Sequence, residues 1–303
     1  MIKIQVLTAI LLIFSVSTLA QDMFEVRQLT SDPVQEGFPT WSPDGKFIVF
    51  QHSDLNDSRD KNGLWRISPD GTGVKQIFKG IAEHPNWSPD GRFIVFDADT
   101  GKSIQMISAD SGTIISFLPD SVRIHNGGLP CWSPCASKIA FKDSEYSLFT
   151  YDLTTEKVER IYQQDSFLLI PGCWSRDGKS ILFSLMNRQS KRSTVWQIAY
   201  DGSECKQIMG LPDNFYRYLA LSPDGSILAY GAMQGRSMGI YVMPASGGAS
   251  LPLTVTSNAL NEGASWSPDG REIAFISTRA GSFDIWLMKL NVEQLKMKLG
   301  ITK

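Results

Sequence analysis

The sequence predicts an all-β fold: a six-bladed β-propeller of four-stranded antiparallel blades, its ring closed by the N-terminal strand. Three observations carry this expectation. The motif Trp-Ser-Pro-Asp-Gly occurs, intact or with substitutions, six times in the 303-residue chain. The intervals between its first residues are 46, 45, 42, 47 and 45. Each copy leads into the same succession of short apolar runs and turns, and one unmatched run is left ahead of the first copy. Four-stranded units of roughly 40–45 residues arranged in a ring are the pattern of a propeller.

The copies are Trp41–Gly45, Trp87–Gly91, Trp132–Ala136, Trp174–Gly178, Leu221–Gly225 and Trp266–Gly270. Ser-Pro-Asp-Gly is a turn with a mechanism. Pro presets φ at the first corner, Asp bonds the local backbone, and Gly takes the left-handed conformation that closes a hairpin. A strand therefore flanks each copy on both sides. The strand that follows is read from Phe47–Phe50, Phe93–Phe96, Ile139–Phe141, Ile181–Phe183, Ile227–Tyr230 and Ile273–Phe275. A third strand comes from Leu64–Ile67, Ile104–Ile107, Leu148–Tyr151, Val195–Ile198, Ile240–Met243 and Ile285–Met288. A fourth is read only five times: Lys75–Phe78, Thr113–Ser116, Glu159–Tyr162, Lys206–Met209 and Leu251–Thr254. The unmatched run Val26–Leu29 supplies the sixth, so the two ends of the chain share one blade. An open solenoid would need capping units and would leave that run unexplained. The repeated Trp and Phe/Tyr positions are read as packing between adjacent blades.

Residues 1–20 read as a secretory signal peptide. Lys3 is the only charge before Asp22, an apolar stretch runs from Ile4 to about Val16, and small residues end at Ala20. The stretch is shorter than the roughly 20 residues a spanning helix needs, so no membrane span is expected once the signal is removed. The propeller is assigned to residues 21–290 and a tail to 291–303. In the tail Val292, Leu295 and Leu299 fit a short amphipathic helix or a frayed end. The protein is expected in the periplasm or outside the cell, as a monomer.

Composition narrows the function classes. The chain is 42% hydrophobic and 20% charged, with formal net charge −2. Removing Lys3 with the signal leaves a mildly acidic protein with no basic cluster, a poor partner for nucleic acid. Cys131, Cys135, Cys173 and Cys205 allow up to two disulfides in an oxidising compartment. Cys131 and Cys173 each precede a repeat Trp; a link between them and a pair of buried thiols are both open. No Cys/His cluster has zinc spacing. There is no Gly-x-Ser-x-Gly elbow, so a serine hydrolase lacks its parts. Asp54–Gly63 alternates acidic and polar residues like the start of a calcium loop. However, Arg59 stands where Gly is obligatory and Trp65 where the bidentate Glu belongs, so a solvated hairpin loop is expected there.

The copies with their Pro-Asp-Gly turn and apolar run resemble the PD40, WD40-like, repeats of the TolB-type propeller, across roughly residues 24–290. Ser277–Trp286 is especially similar. The resemblance implies a periplasmic protein that pairs through its propeller with the peptidoglycan-associated lipoprotein. It also implies an α/β domain ahead of the propeller, for which the three residues between Ala20 and Phe24 leave no room. The repeat occurs too in peptidase-associated propellers and in polysaccharide lyases with a His-rich metal site; this chain has three histidines, His52, His84 and His125.

By the family pattern the innermost strands precede each Trp and line the mouth of the central channel, the usual binding place of such a ring. They bring Glu36, Glu83, His84, His125, Asn126, Tyr216, Arg217, Asn261 and Glu262 as candidate ligand- or partner-binding residues. No catalytic residue is assigned. Carboxylates of the first, second and sixth units, with a histidine, are suitable donors for a channel calcium or manganese ion or for acid–base work, without the spacing diagnostic of either. No other cofactor is expected. The leading expectation is a non-enzymatic module that binds a protein or peptide, an envelope lipoprotein among the candidates, through a propeller face and the channel mouth. The alternative is a lyase-like metal-dependent enzyme or carbohydrate-binding protein using the same channel.

Overall fold

Each repeat turn closes through its own side chains. In the first copy Ser42 Oγ donates to Asp44 Oδ1 at 2.7 Å, and the same oxygen accepts Lys46 N–H at 3.1 Å. Ser42 Oγ in turn accepts Phe47 N–H at 2.9 Å, and Gly45 holds φ at 72°. The arrangement recurs at Ser88, Ser175, Ser222 and Ser267. In the third copy Cys135 Sγ takes the place of the carboxylate, 3.4 Å from Ser133 Oγ, and Ala136 adopts φ 57° without glycine's freedom. The motif serine is therefore as structural as its Pro, Asp and Gly. Ser42, Ser88, Ser133, Ser222 and Ser267 are all buried.

The computed structural model describes residues 24–54, 61–99, 101–118, 128–143, 146–209, 216–235, 237–254, 256 and 258–301. The expected signal peptide lies outside them, as does most of the calcium-like loop. Among the described residues six four-stranded antiparallel sheets form. The first blade holds β2 (Gln35–Trp41), β3 (Ile48–Ser53), β4 (Gly63–Ile67) and β5 (Lys75–Lys79). The second holds β6 (Ala82–Trp87), β7 (Phe93–Ala98), β8 (Ser103–Ser108) and β9 (Ile114–Ile115). The third runs through β10 (Gly128–Trp132), β11 (Lys138–Asp143), β12 (Ser147–Asp152) and β13 (Lys157–Gln163). The fourth comprises β14 (Phe167–Trp174), β15 (Ser180–Asn187), β16 (Ser193–Ala199) and β17 (Cys205–Met209). The fifth comprises β18 (Tyr216–Leu221), β19 (Ile227–Gln234), β20 (Ser237–Pro244) and β21 (Leu251–Pro252). The sixth has β22 (Asn261–Trp266), β23 (Glu272–Ser277) and β24 (Asp284–Leu290), and its outer strand is β1 (Phe24–Gln28). β1 runs antiparallel to β24, from Phe24 opposite Leu290 to Gln28 opposite Trp286. The ring thus closes as the unmatched run predicts, with the strand starting two residues earlier.

The core is six cores. Each apolar cluster lies between two neighbouring blades, and the sixth joins Trp41, Ile48 and Phe50 of the first blade to Ala274, Ile285 and Leu287 of the last. The aromatic residue nine positions after the start of each copy (Phe50, Phe96, Phe141, Phe183, Tyr230 and Phe275) is at most 1% exposed. Burying each such ring contributes roughly 1.5–3 kcal/mol. Two repeat indoles also bridge blades by hydrogen bonds: Trp174 Nε1 to Cys131 O and Trp266 Nε1 to Ala220 O, both at 3.1 Å.

The tail folds as a short helix, α1 (Val292–Lys298). Asn291 caps it by accepting Gln294 N–H at 3.1 Å, which satisfies one of the orphan donors of its first turn. Leu295 and Leu299 enter the core between the fifth and sixth blades, and Lys296 pairs with Asp224 of the fifth repeat turn. No described helix is long and apolar enough to cross a membrane.

Candidate functional site

The innermost strands β2, β6, β10, β14, β18 and β22 contact one another in a closed ring around the axis. Each carries a one-residue bulge against its neighbour in the blade. A bulge re-aims the chain and ends regular pairing. Here it turns the residue three before the repeat position to left-handed backbone: Phe38 at 47°, His84 at 49°, Leu129 at 49°, Tyr218 at 55° and Gly263 at 65°. In the fourth blade that place is Pro171, whose ring forbids positive φ. The bulge there falls at Gly172, where a Cβ would lie 2.7 Å from Leu219 Cβ. Four non-glycine residues in this region each cost of order 1–3 kcal/mol of strain, which the surrounding ring must sustain.

The bulges bring three rings together on the axis. Phe38 lies 3.9 Å from His84 and 5.2 Å from Tyr218, centroid to centroid. His84 and Tyr218 come from opposite blades, yet their centroids are 6.3 Å apart. This aromatic layer lines the channel. On the side of the repeat turns lies a cavity of about 460 Å³ to which all six blades contribute. Its walls are mostly apolar or backbone: Phe38, Leu129, Tyr218, Trp41, Trp132, Ala220 and a series of prolines, with His84 at the aromatic layer and Arg176, Pro43, Pro134 and Pro223 toward the turns.

One residue earlier along the strands lies a charged cluster next to Tyr218. Arg217 and Glu262 form an ion pair across the fifth and sixth blades, and the Arg217 guanidinium sits 5.0 Å from the Tyr218 ring. Burial raises the Glu262 carboxyl above its ordinary range, against the pull of Arg217 and His84. Burial likewise pushes the Tyr218 phenol up to about 12. Glu83 is half-buried near Tyr218. His84 Nδ1 is 2.8 Å from Asp97 Oδ2, and the Asp97 carboxylate also accepts Leu129 N–H at 2.9 and 3.0 Å. Gly128 makes this possible, since a Cβ there would fall 1.7 Å from Asp97 Oδ1. Burial lowers the Lys142 ammonium, and the nearby Asp97 opposes that shift.

The expected mouth residues therefore divide. Glu83, His84, Arg217 and Glu262 meet around the axis. Glu36, Tyr216 and Asn261 do not: they sit one position earlier, where strand alternation turns the side chain between blades. Tyr216 is 1% exposed in the apolar core against Tyr230. Asn261 is fully buried, donating to Met238 O and Thr256 Oγ1 and accepting from Ser277 and Arg279. Glu36 is buried beside His52 at the seam of the ring. His125 and Asn126 lie outside the described residues. Of the carboxylates expected to share a channel ion, Glu36 is consequently set apart from Glu83 and Glu262. Glu262 is paired with Arg217, and among the described residues the one grouping of three ligand-type side chains is Asp32, Glu36 and His52.

Residues that sequence reasoning missed are Phe38, Asp97, Leu129, Arg176 and Tyr218. A fixed offset of three before each repeat position was the available signal for Phe38, Leu129 and Tyr218. The four cysteines are free thiols. Burial pushes Cys173 up to about 12 and Cys131 well above its ordinary range.

The chain resembles known proteins in the same terms. The model of the TolB beta propeller domain matches residues 144–299, just over half of the chain. The Tol-Pal system protein TolB of Francisella tularensis is 31% identical over 99 residues, 32% of this chain and 22% of that protein. The chain spans less than half the length of the curated relatives it matches. TolB from Acinetobacter baumannii superposes with a TM-score of 0.63 at 18% identity, over 85% of this chain and 64% of that one. An oligogalacturonate lyase in complex with manganese gives 0.61 at 13% identity, over 89% and 94%. At such identities the superpositions speak for the fold alone. Six bladed sheets closed by the N-terminal strand, the repeat turn in every blade and the matching domain model place the chain in one family: it belongs to the TolB β-propellers.

Proposed function

We propose that this protein is an exported, non-enzymatic binding module of the bacterial envelope that seats a protein or peptide partner in the axial cavity on the repeat-turn side. The observation that carries the reading is the cavity itself. Its volume of about 460 Å³ lies within the range of ligand-binding pockets, and its walls are mostly aromatic rings, prolines and backbone, with His84 and Arg176 the side chains there that can carry positive charge. Such walls suit a proline- or aliphatic-rich segment whose own polar groups meet the rim at Arg176. The TolB relatives are named for the Tol-Pal system, which supports an envelope lipoprotein as one class of partner. Export rests on the signal-like residues 1–20.

Affinity capture from an envelope extract tests it. The wild-type chain is expected to retain a discrete partner, and Ala220→Trp, which fills the cavity, to lose it while keeping its fold by circular dichroism. A partner retained equally by both would place the interface elsewhere.

A second reading rests on the aromatic layer at the floor of that cavity. The His84–Asp97 pair at 2.8 Å is an imidazole oriented by a carboxylate, the arrangement of a general base, and the ring sits on the channel axis. The lyase-like fold of a structural neighbour makes acidic oligosaccharides the substrates to try. Cleavage by the wild type that is absent in His84→Ala would favour this reading over the first.

A further inference from the structure

The seam where the ring closes holds a set of side chains that channel binding does not use. Asp32, Glu36 and His52 each offer one ligand atom, all within 4.8 Å of one another. Glu36 and His52 are cross-strand partners on β2 and β3, 3% and 5% exposed. Asp32 is exposed on the segment between β1 and β2.

Two observations point to a cation here. The first is the spacing. His52 Nδ1 lies 3.5 Å from Glu36 Oε1, longer than a good hydrogen bond. Two ligands held ~2.0–2.2 Å from one tetrahedral ion stand roughly 3.3–3.6 Å apart. The imidazole and the carboxylate, both more than nine-tenths buried, are thus set apart as co-ligands are. The second is charge. The Glu36 and Asp284 carboxyls are 3% and 0% exposed, and Asp32 lies close enough to act on both. Among the described residues no lysine or arginine pairs with Asp32, Glu36 or Asp284. Gln28 and Ser282 donate to Asp284, which leaves the Glu36 and Asp32 carboxylates with His52 as the one described group near them that can be a cation or share one. Supporting contacts are also in place. Thr30 Oγ1 donates to Glu36 Oε2 and accepts Ile285 N–H at 2.9 Å, while Glu36 N–H donates to Phe283 O at 3.0 Å. Partners of this kind orient metal ligands.

We propose that Asp32, Glu36 and His52 bind a divalent transition-metal ion of borderline softness, with zinc the best-suited probe. The ion clamps the segment after β1 to the first blade, and through Thr30 to β24, so that it locks the ring at its closure. Two carboxylates and an imidazole suit such an ion better than calcium, which takes six to eight oxygens.

Chelator-stripped protein reloaded with zinc should retain close to one zinc per chain after dialysis and gel filtration, and its melting temperature should rise with zinc. Asp32→Asn and His52→Gln should each weaken zinc binding at least about tenfold and abolish that rise. Asp32 is exposed, so Asp32→Asn without metal should melt as the stripped wild type does, which separates lost ligation from lost folding. With few histidines in the chain, His84→Gln is the control and should bind zinc normally. No retained zinc, or stoichiometric zinc that persists in the Asp32→Asn/His52→Gln double variant, would overturn the proposal. So would loss of zinc in His84→Gln alone.

Discussion

Gly128 is the position at which a single methyl group tests the geometry of the His84–Asp97 pair. Its φ is +117°, and a Cβ there would lie 1.7 Å from Asp97 Oδ1 and 2.3 Å from Asp97 Cγ. Gly128→Ala must therefore expel the Asp97 carboxylate from a site where it is 3% exposed. Two charge-assisted contacts go with it, to Leu129 N–H at 2.9 Å and to His84 Nδ1 at 2.8 Å. Bonds to a charged group contribute about 1.5–3 kcal/mol each, and the left-handed backbone costs alanine a further ~1–2 kcal/mol. The expected loss is about 4–8 kcal/mol, seen in urea unfolding as a lower midpoint with an unchanged slope. The double variant Gly128→Ala/Asp97→Ala isolates the clash. With the carboxylate gone the methyl group has room, so the double should exceed Asp97→Ala only by the ~1–2 kcal/mol of backbone strain. A Gly128→Ala loss below about 1 kcal/mol, or strict additivity of the two substitutions, would refute this account of how blades two and three are joined.

Other outcomes follow from the same contacts. Ser88→Ala removes a fully buried hydroxyl that both donates to Asp90 and accepts from Phe93 N–H, and should cost about 1–3 kcal/mol in urea unfolding. Leu295→Ala empties a fully buried site between α1 and the last two blades and should cost about 2–5 kcal/mol; a loss within about 0.5 kcal/mol would mean the helix is not docked. Asp177 is held below the ordinary carboxylate range first by Ser175 and then by Lys179 N–H. Its folded pKa lies below its unfolded one, so its contribution is present above about pH 4 and is lost as pH falls through the folded value. Acid unfolding of Asp177→Asn should therefore lack that component. The Glu36 carboxyl is shifted upward by burial, with Thr30 and His52 opposing, so the sign reverses. Without metal Glu36→Gln should stabilise the protein at pH 7, and the gain should vanish below about pH 4, where both states of the wild type carry the proton.

The architecture was legible because propeller blades repeat their physics. Each turn needs the same Ser, Asp and left-handed corner, and each inter-blade core needs an aromatic residue at the same offset, so the requirements surface as a motif. Ring closure was legible for the same reason: Val26–Leu29 had no partner of its own. The site was only half legible. Glu36 and Glu83 both precede a repeat Trp by four or five residues, yet one position of alternation sends Glu36 into the seam and Glu83 to the axis. The bulges carry little local signature, because Phe38, Leu129 and Tyr218 are not residues that favour left-handed backbone; the tertiary ring imposes it on them. Asp97 sits at the end of an apolar run and reads as a strand end until Gly128, thirty-one residues away, is brought against it. The pairing of Glu36 with His52 depends on the β2–β3 register, which the bulge itself sets.

The central claim is that the axial cavity on the repeat-turn side receives a protein partner. Site-specific photo-crosslinking in intact cells tests it most directly, with the probe either at Arg176 on the cavity rim or at Val74, which is 53% exposed and does not line the cavity. A discrete higher-mass adduct is expected from position 176 that is absent from position 74 and disappears when Ala220→Trp fills the cavity. An adduct from position 74 alone, or one at 176 that survives Ala220→Trp, would contradict it.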